Sequence, residues 1–394
     1  MAARKTRTRV LIVTALCCAS PSRSDAQQSV RDVLDFLVTQ NQSVPTGAPE
    51  KDREAAQATS QTISRALLVA LATVPISSST GGFTYVFNSQ LGTVERTSET
   101  FGPFFTERAT GAGRNQASFG VTYQYARFST LDGNELRAGT FVTTANKFRG
   151  EAAPFDVDVL TLNIETNTVT VFGNYGVTDH FDVAAAVPLV ALRMDGQRIN
   201  TYYGQSFLKA RGSATTAGLA DVAVRAKYSL IAQRGSGLAV GTEVRLPTGR
   251  EEDLLGAGAA ALKVLALASV ERGRIGTHLN GGYTVGGISK ELSYSGALTF
   301  ASTPHVTLTG ELIGRRIDDL KGITQAVFPH PLYVGVDTIR LLPGTAGANI
   351  AMAVGGVKWN TGGKWLLNTN VLIPLTDAGL SARIVPTVAL DYSF

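Results

Sequence analysis

The chain carries four histidines, two cysteines and a modest set of charges, and their positions limit the chemistry available. His180, His278, His305 and His330 are scattered, and no two stand at a spacing that would ligate one metal ion. Cys17 and Cys18 are adjacent and early in the chain, so no cysteine-ligated site can form further on. His278 shares a strand face with Asn280, and Ser269 or Ser295 could approach it from neighbouring strands. A serine beside a histidine is the least that a membrane hydrolase would need. No local pattern marks either serine as a nucleophile, so the expectation is a protein that is no enzyme and uses neither cofactor nor metal. Gly235-Ser236-Gly237 and Gly256-Ala257-Gly258 read as turns rather than phosphate cradles, because no helix follows them.

The charged residues obey a period of two. Asp221, Arg225 and Lys227 alternate with Val222, Val224, Ala226 and Tyr228; Glu243 and Arg245 alternate with Val240, Thr242, Val244 and Leu246. Successive strand side chains point to opposite faces, so each run has one apolar and one charged face. Charge does not face hydrocarbon cheaply. Asp221, Arg225, Lys227, Glu243, Arg245, His278, Glu311 and Arg315 are therefore expected to line a lumen. They would form either a channel wall with an ion-selective constriction, or a salt-bridge network that fills a narrow barrel.

The elements that must hold these residues begin at Ser118. Alternating runs centre on Phe119 to Tyr125, Leu160 to Tyr175, Phe181 to Val187, Ala220 to Tyr228, Leu238 to Leu246, Leu262 to Val270, Ile275 to Val285, Leu292 to Phe300, Val306 to Gly314, Ala351 to Val357, Trp365 to Ile373 and Ile384 to Phe394. Many run about ten residues, enough to cross a membrane when tilted, against about five or six for a soluble strand. Short turns at Asp179, Arg272-Gly273, Thr303-Pro304 and Thr361-Gly362-Gly363 alternate with longer polar stretches, Phe128 to Asp156, Arg193 to Thr216 and Arg315 to Gly347. Pro188, Pro247 and Pro374 end strands beside the long connections, where a missing N–H does least harm. Pro386 falls inside the last strand and suggests a bulge there. The expected fold is all-β: an antiparallel transmembrane β-barrel of 12 strands, or 14 if a hairpin around Phe83 joins it. Tyr123, Tyr125, Tyr228, Tyr283, Trp365, Tyr392 and Phe394 read mostly as an interfacial girdle.

Ahead of the barrel the pattern differs. Arg4, Lys5, Arg7 and Arg9 precede an apolar run from Val10 to Ala19, and Ser24 and Ala26 suit a peptidase, so residues 1–26 read as a signal peptide. Removing it takes five basic residues and one acid from the chain's 36 and 31, leaving 31 against 30 and no reason to expect a nucleic-acid partner. Val30, Val33, Leu34 and Leu37 fall at helical spacing, and residues 52–73 hold neither Gly nor Pro. Residues 27–80 are thus expected as a short helical periplasmic segment, a leader or plug, with 81–115 a hairpin or connector and 116–394 the barrel.

Two resemblances add to this reading. Val388, Leu390, Tyr392 and Phe394 resemble the C-terminal signal of bacterial outer-membrane barrels, which implies outer-membrane lipid and the barrel assembly machinery as partners. Asn174-Tyr175-Gly176-Val177-Thr178-Asp179 with Asp182-Val183 and Val187-Pro188, then Leu246-Pro247-Thr248-Gly249, then Leu279-Asn280-Gly281-Gly282-Tyr283, resemble an outer-membrane family named for the meta-pathway of phenol degradation. That resemblance implies a channel or transporter that passes small molecules across the bacterial outer membrane, passively, with both termini in the periplasm. A non-conducting structural or ligand-binding barrel is the alternative, and a membrane-embedded hydrolase the third. The solute is not specified.

Overall fold

The computed structural model describes residues 28–39, 49–72, 75–79, 82, 85–88, 93–96, 98–233 and 236–394. The expected signal peptide, the turn residues Arg234 and Gly235, and Phe83 lie outside these. Two helices are described, α1 (Val30–Thr39) and α2 (Pro49–Ala72), then a hairpin of β1 (Tyr85–Asn88) and β2 (Thr93–Arg96). There follow β3 (Ala117–Leu131), β4 (Asn134–Glu135), β5 (Phe141–Phe148), β6 (Asp156–Gly176), β7 (Phe181–Tyr202), β8 (Gln205–Leu219), β9 (Val222–Gln233), β10 (Ser236–Leu246) and β11 (Ala261–Arg272). The chain ends with β12 (Ile275–Gly286), β13 (Glu291–Thr303), β14 (Val306–Pro329), β15 (Val336–Gly362), β16 (Trp365–Pro374), β17 (Leu380–Ala382) and β18 (Val385–Ser393).

Among these, twelve antiparallel strands close a barrel: β3, β6, β7, β9 to β16 and β18, with β18 pairing back onto β3 through Leu390↔Val121. The alternative of 14 strands is overturned. β1 and β2 pair only with each other, over four residues each, and both edges of β3 are already taken by β6 and β18. Pro386 is not at a bulge either. β18 keeps its register against β16 through Pro386↔Val371 and pairs with β3 only from Thr387, so the missing N–H lies beyond that ladder.

The long connections expected between strands are themselves largely strand. β6 pairs with β7 from Gly176↔Asp182 to Asp156↔Tyr202, and β7 continues against β8 over most of Arg193 to Thr216. β14 and β15 remain paired out to Pro329↔Asp337. A strand rises about 3.4 Å per residue, so these pairs project well beyond the 9–11 residues that cross a bilayer.

β6 shows where the environment changes. Leu160, Leu162 and Ile164 are buried inside the barrel, as are Thr166, Thr168 and Asn174 on the same face, while Val171 and Tyr175 on the other are exposed. The face does not change; the chemistry does. Toward the short turns the outer face is apolar and the inner polar, whereas further out the inner face is apolar at Leu160, Leu162 and Ile164 and ends on the buried Asp158, paired with Arg198, and Asp156.

That inner apolar face packs against the helices. Val33, Leu34 and Leu37 of α1, with Ile63, Leu67 and Leu71 of α2, join Phe128, Leu160, Leu162, Met194 and Leu341 in one core. Ser29 and Asp32 cap α1 reciprocally, each side chain accepting the other's backbone N–H at 3.1–3.2 Å. Gly196 and Gly212, partners across β7 and β8, make room for α1. A Cβ on Gly196 would lie 2.8 Å from a Leu37 methyl, and one on Gly212 would lie 3.0 Å from a Val33 methyl.

Candidate functional site

The interior of the barrel is divided by the chain's own N-terminal part. Helices fill the end nearest the long connections, and residues 98–113 fill the end nearest the short turns. Of residues 100–113, only Phe105 is less than fully buried. This segment includes Gly102, Pro103, Gly111 and Gly113, which favour an irregular path, and its backbone groups are satisfied by inward side chains of the wall. Phe101 N–H donates to Thr307 (3.0 Å), Ala109 N–H to Ser269 (2.9 Å) and Ala112 N–H to Asp182 (3.1 Å). The Glu311 carboxylate accepts from the N–H groups of Phe104, Phe105 and Thr106 and from the Thr106 hydroxyl. Cations serve the carbonyls: Lys358 donates to Pro103 (2.8 Å), and Lys227 to Arg108 (3.2 Å) and Thr110 (3.1 Å).

Side-chain charges lock the same segment. Arg108, wholly buried, pairs with Glu271 at 2.8 Å. Glu107 accepts from Arg225 at 3.0 Å and from the Ser79 N–H at 2.7 Å. Burial pulls the Glu107 carboxyl toward its neutral form, but Arg225, Lys227 and the Ser79 hydrogen bonds outweigh it and hold its pKa below the ordinary 4.5. Asn280, with its amide turned to satisfy both groups, donates to the Glu107 carbonyl and accepts from its N–H at 3.0 and 2.9 Å.

Each residue expected at the lumen faces the interior. Arg225, Glu243 and Arg245 form one group, with Arg225–Glu243 at 2.6 Å and Arg245–Glu243 at 2.9 Å. Lys227 pairs with Asp182 at 3.3 Å, and Arg315 with Glu291 at 3.4 Å. Asp221 stands apart, its oxygens accepting from the Gly249 and Ala257 N–H groups. Val388, Leu390 and Phe394 are exposed on the outer wall, where Tyr392 packs at tilted and edge-on angles against Phe119, Trp365 and Phe394.

His278 and Ser269 do meet, at 2.9 Å, with Glu271 3.7 Å from the other ring nitrogen. These are the contacts a nucleophile and base require. Here, however, Ser269 accepts the Ala109 N–H, Glu271 holds Arg108, and all three are buried under the inner segment, so the serine has no path to a substrate in this conformation.

Between the two fillings lies a cavity of about 140 Å³. Pro75, Ile76, Phe105 and Glu107 bound it on the inner side, and Arg225, Glu243, Arg245, Lys263, Glu291 and Arg315 are among the wall residues. The wall charges lie in cross-strand register: Arg225 faces Glu243, Glu243 faces Lys263, Lys263 faces Thr284, and Thr284 faces Glu291. This row of alternating sign runs across β9 to β13, with Arg315 just beyond on β14. Lys263, Glu291 and Glu107 were not singled out by the sequence. Lys263 sits in an all-round apolar run (Leu262, Val264, Leu265, Leu267) that hides its parity, and Glu107 is in no strand at all.

Comparison with known proteins finds likeness in the barrel. No family model matches the chain, and no curated protein does. A solved outer membrane channel from Pseudomonas putida F1 is 14% identical, with 73% of this chain and 98% of that one covered and a TM-score of 0.46. A KdgM porin in complex with oligogalacturonate is 10% identical over 70% of this chain and 99% of its own, with a TM-score of 0.37. An OmpF of Salmonella typhi, in complex with daunomycin, is 8% identical over 72% and 98%, with a TM-score of 0.31. These scores leave the functional reading to the geometry above.

Proposed function

We propose that this protein is a channel of the bacterial outer membrane, passing small molecules passively through a barrel partly filled by its own N-terminal part. The observation that carries this reading is the pairing of a closed twelve-stranded wall, apolar outside, with an interior row of alternating charges bordering a cavity. Charge on the inner face has no structural use unless water or a solute shares that space, or the charges pair; Lys263, although Glu243 and Glu291 attract it across the wall, makes no hydrogen bond and no ion pair within 4.0 Å among the described residues. Membership of the family named for the meta-pathway of phenol degradation belongs to this proposal. So does an orientation with the short turns and the C-terminal strand on the periplasmic side, where Val388, Leu390, Tyr392 and Phe394 would be read by the assembly machinery.

Planar-bilayer recording on the refolded mature protein tests it. We expect small, steady unitary currents whose reversal potential in a salt gradient moves toward anion selectivity in Glu243→Gln and away from it in Arg225→Gln. The second reading, a non-conducting barrel that binds a ligand, is favoured by the tight seating of residues 98–113 against the wall. Silence from a demonstrably folded barrel would select it.

A further inference from the structure

The cavity has a chemical character of its own, and its origin is in small side chains. On β13 the inward positions beside Glu291 are Ser293 and Ser295, whose small side chains line the cavity where larger residues stand elsewhere in the barrel. A Cβ on Gly282 would already lie 3.0 Å from the Lys263 Cε and 2.9 Å from the Ser293 hydroxyl, which donates to the Gly282 carbonyl at 3.3 Å, so this glycine leaves room for the lysine's stem. A volume of about 140 Å³ is far more than one water requires. An engineered cavity of about 150 Å³ holds a benzene ring.

The lining combines two kinds of contact. Ile76, Phe105, Leu265, Ile313, Ile350 and Met352 give apolar surface. Four cations, Arg225, Arg245, Lys263 and Arg315, face three carboxylates, Glu107, Glu243 and Glu291, a surplus of one positive charge. The carboxylates are largely committed: Glu107 and Glu243 to Arg225 and Arg245, and Glu291 to Arg315. Lys263 is the cation that no described carboxylate approaches within ion-pair distance, although it stands in register beside Glu243. Asp221 borders the adjoining smaller cavities, but its oxygens are taken by backbone N–H groups.

We infer that this cavity is a binding site for a small organic monoanion, one carboxylate on an apolar body about the size of a single ring. Lys263 takes the carboxylate, with the Ser295 hydroxyl as a further donor, and Phe105, Ile313 and Met352 cover the apolar body. A single negative charge matches the surplus. A phosphate monoester, at about −1.5 to −2 near pH 7, would overfill it. The inference deepens the channel reading and rests on it for the ligand's route, though the site itself requires no conduction.

The test is therefore equilibrium binding to the full-length protein in detergent, with benzoate, benzylamine and benzyl alcohol as probes of equal size and different charge. Benzoate should bind saturably, and the other two at least about tenfold more weakly, as expected when a charge-assisted hydrogen bond is lost. Lys263→Met should weaken benzoate by about tenfold or more and leave benzyl alcohol unchanged. Ser295→Leu, which fills the cavity and removes no charge, should weaken all three. Equal binding of the three probes, indifference of benzoate to both substitutions, or no saturable binding at all would overturn the site. Bilayer recording on the same preparation separates the two proposals: binding without conduction leaves the site and ends the channel, and conduction without binding does the reverse.

Discussion

At the scale of single residues, the inner segment is held by groups whose loss has calculable consequences. Arg108 and Glu271 form a buried pair. Removing one partner of such a pair leaves an uncompensated charge at ~3–5 kcal/mol. In Arg108→Ala the segment can leave the wall while the barrel ladder stays intact, so the loss should appear locally. Amide exchange at Thr106, Ala109 and Ala112 is expected to accelerate by about a hundredfold or more, with strand amides of β11 and β12 unchanged. Unaltered exchange would mean the segment is held by its backbone bonds alone. Glu107 gives a pH signature. Its folded pKa lies below the ordinary 4.5, so the fold favours the ionised form. That stabilisation is fully present above 4.5 and is lost as pH falls below it through the folded value. Wild type should therefore exceed Glu107→Gln in stability from neutral pH down to about 4.5, and the two should converge in stronger acid. Strand alternation singled out Arg225, Glu243, Arg245 and Arg315 because the period of two is rigid, but it passed over Lys263 and Glu291 on the same wall. It could not reveal Glu107 or Arg108, which lie on an irregular path, nor Ser269 beside His278 as a clamp rather than a reacting pair.

At the scale of elements, the alternating runs located all twelve strands, and the helical spacing of Val30, Val33, Leu34 and Leu37 located α1. The outer halves of β7, β14 and β15, together with β5 and β8, were hidden as polar connections. There the inner face carries the apolar Leu192, Met194 and Leu341 beside the buried polar Arg198 and Asn200, so the pattern of apolar outer and polar inner residues breaks and the runs look interrupted. What the sequence also left open is where the N-terminal part sits. It lies inside the barrel, held by α1 against β8, by Ser77 at the cavity, and by residues 98–113 against the wall. Ser77 and Thr122 hydroxyls lie 3.2 Å apart, joining the segment between α2 and the hairpin to β3. A Ser77→Cys/Thr122→Cys pair should form a disulfide that fixes this segment to the wall. If conduction needs the segment to shift, unitary current should fall on oxidation and return with reductant. Equal currents in both states, with the disulfide verified, would show that solutes pass the segment as it stands.

At the scale of the whole molecule, the question is what surrounds the barrel. Leu230, Leu238, Val264, Leu279, Leu298, Leu308, Leu312, Val388 and Leu390 are all exposed on the outer wall. In water such a belt would be an aggregation surface, since contiguous exposed apolar patches on monomers are usually a few hundred Å² at most. No described helix is long and apolar enough to cross a membrane, but a barrel crosses with its strands. Lipid contact makes a quantitative demand that a soluble interface does not: the penalty for a charge must depend on depth. Leu279 lies mid-strand on β12 with its side chain outward, four residues from Ile275 near the short turn and from Tyr283 on the other side. Leu279→Arg should lower unfolding free energy in vesicles by ~2–4 kcal/mol, falling to about 0–1 for an equivalent change near the interface. Val334, fully exposed at the tip between β14 and β15, should accept arginine at no measurable loss. The same pair of variants refolded in short- and long-chain lipids supplies the control, because a thicker bilayer buries more of the wall and should widen the gap. A Leu279→Arg loss no greater than that at Val334 would place the outer face in water or against protein, and the proposed passage across a membrane would have to be given up.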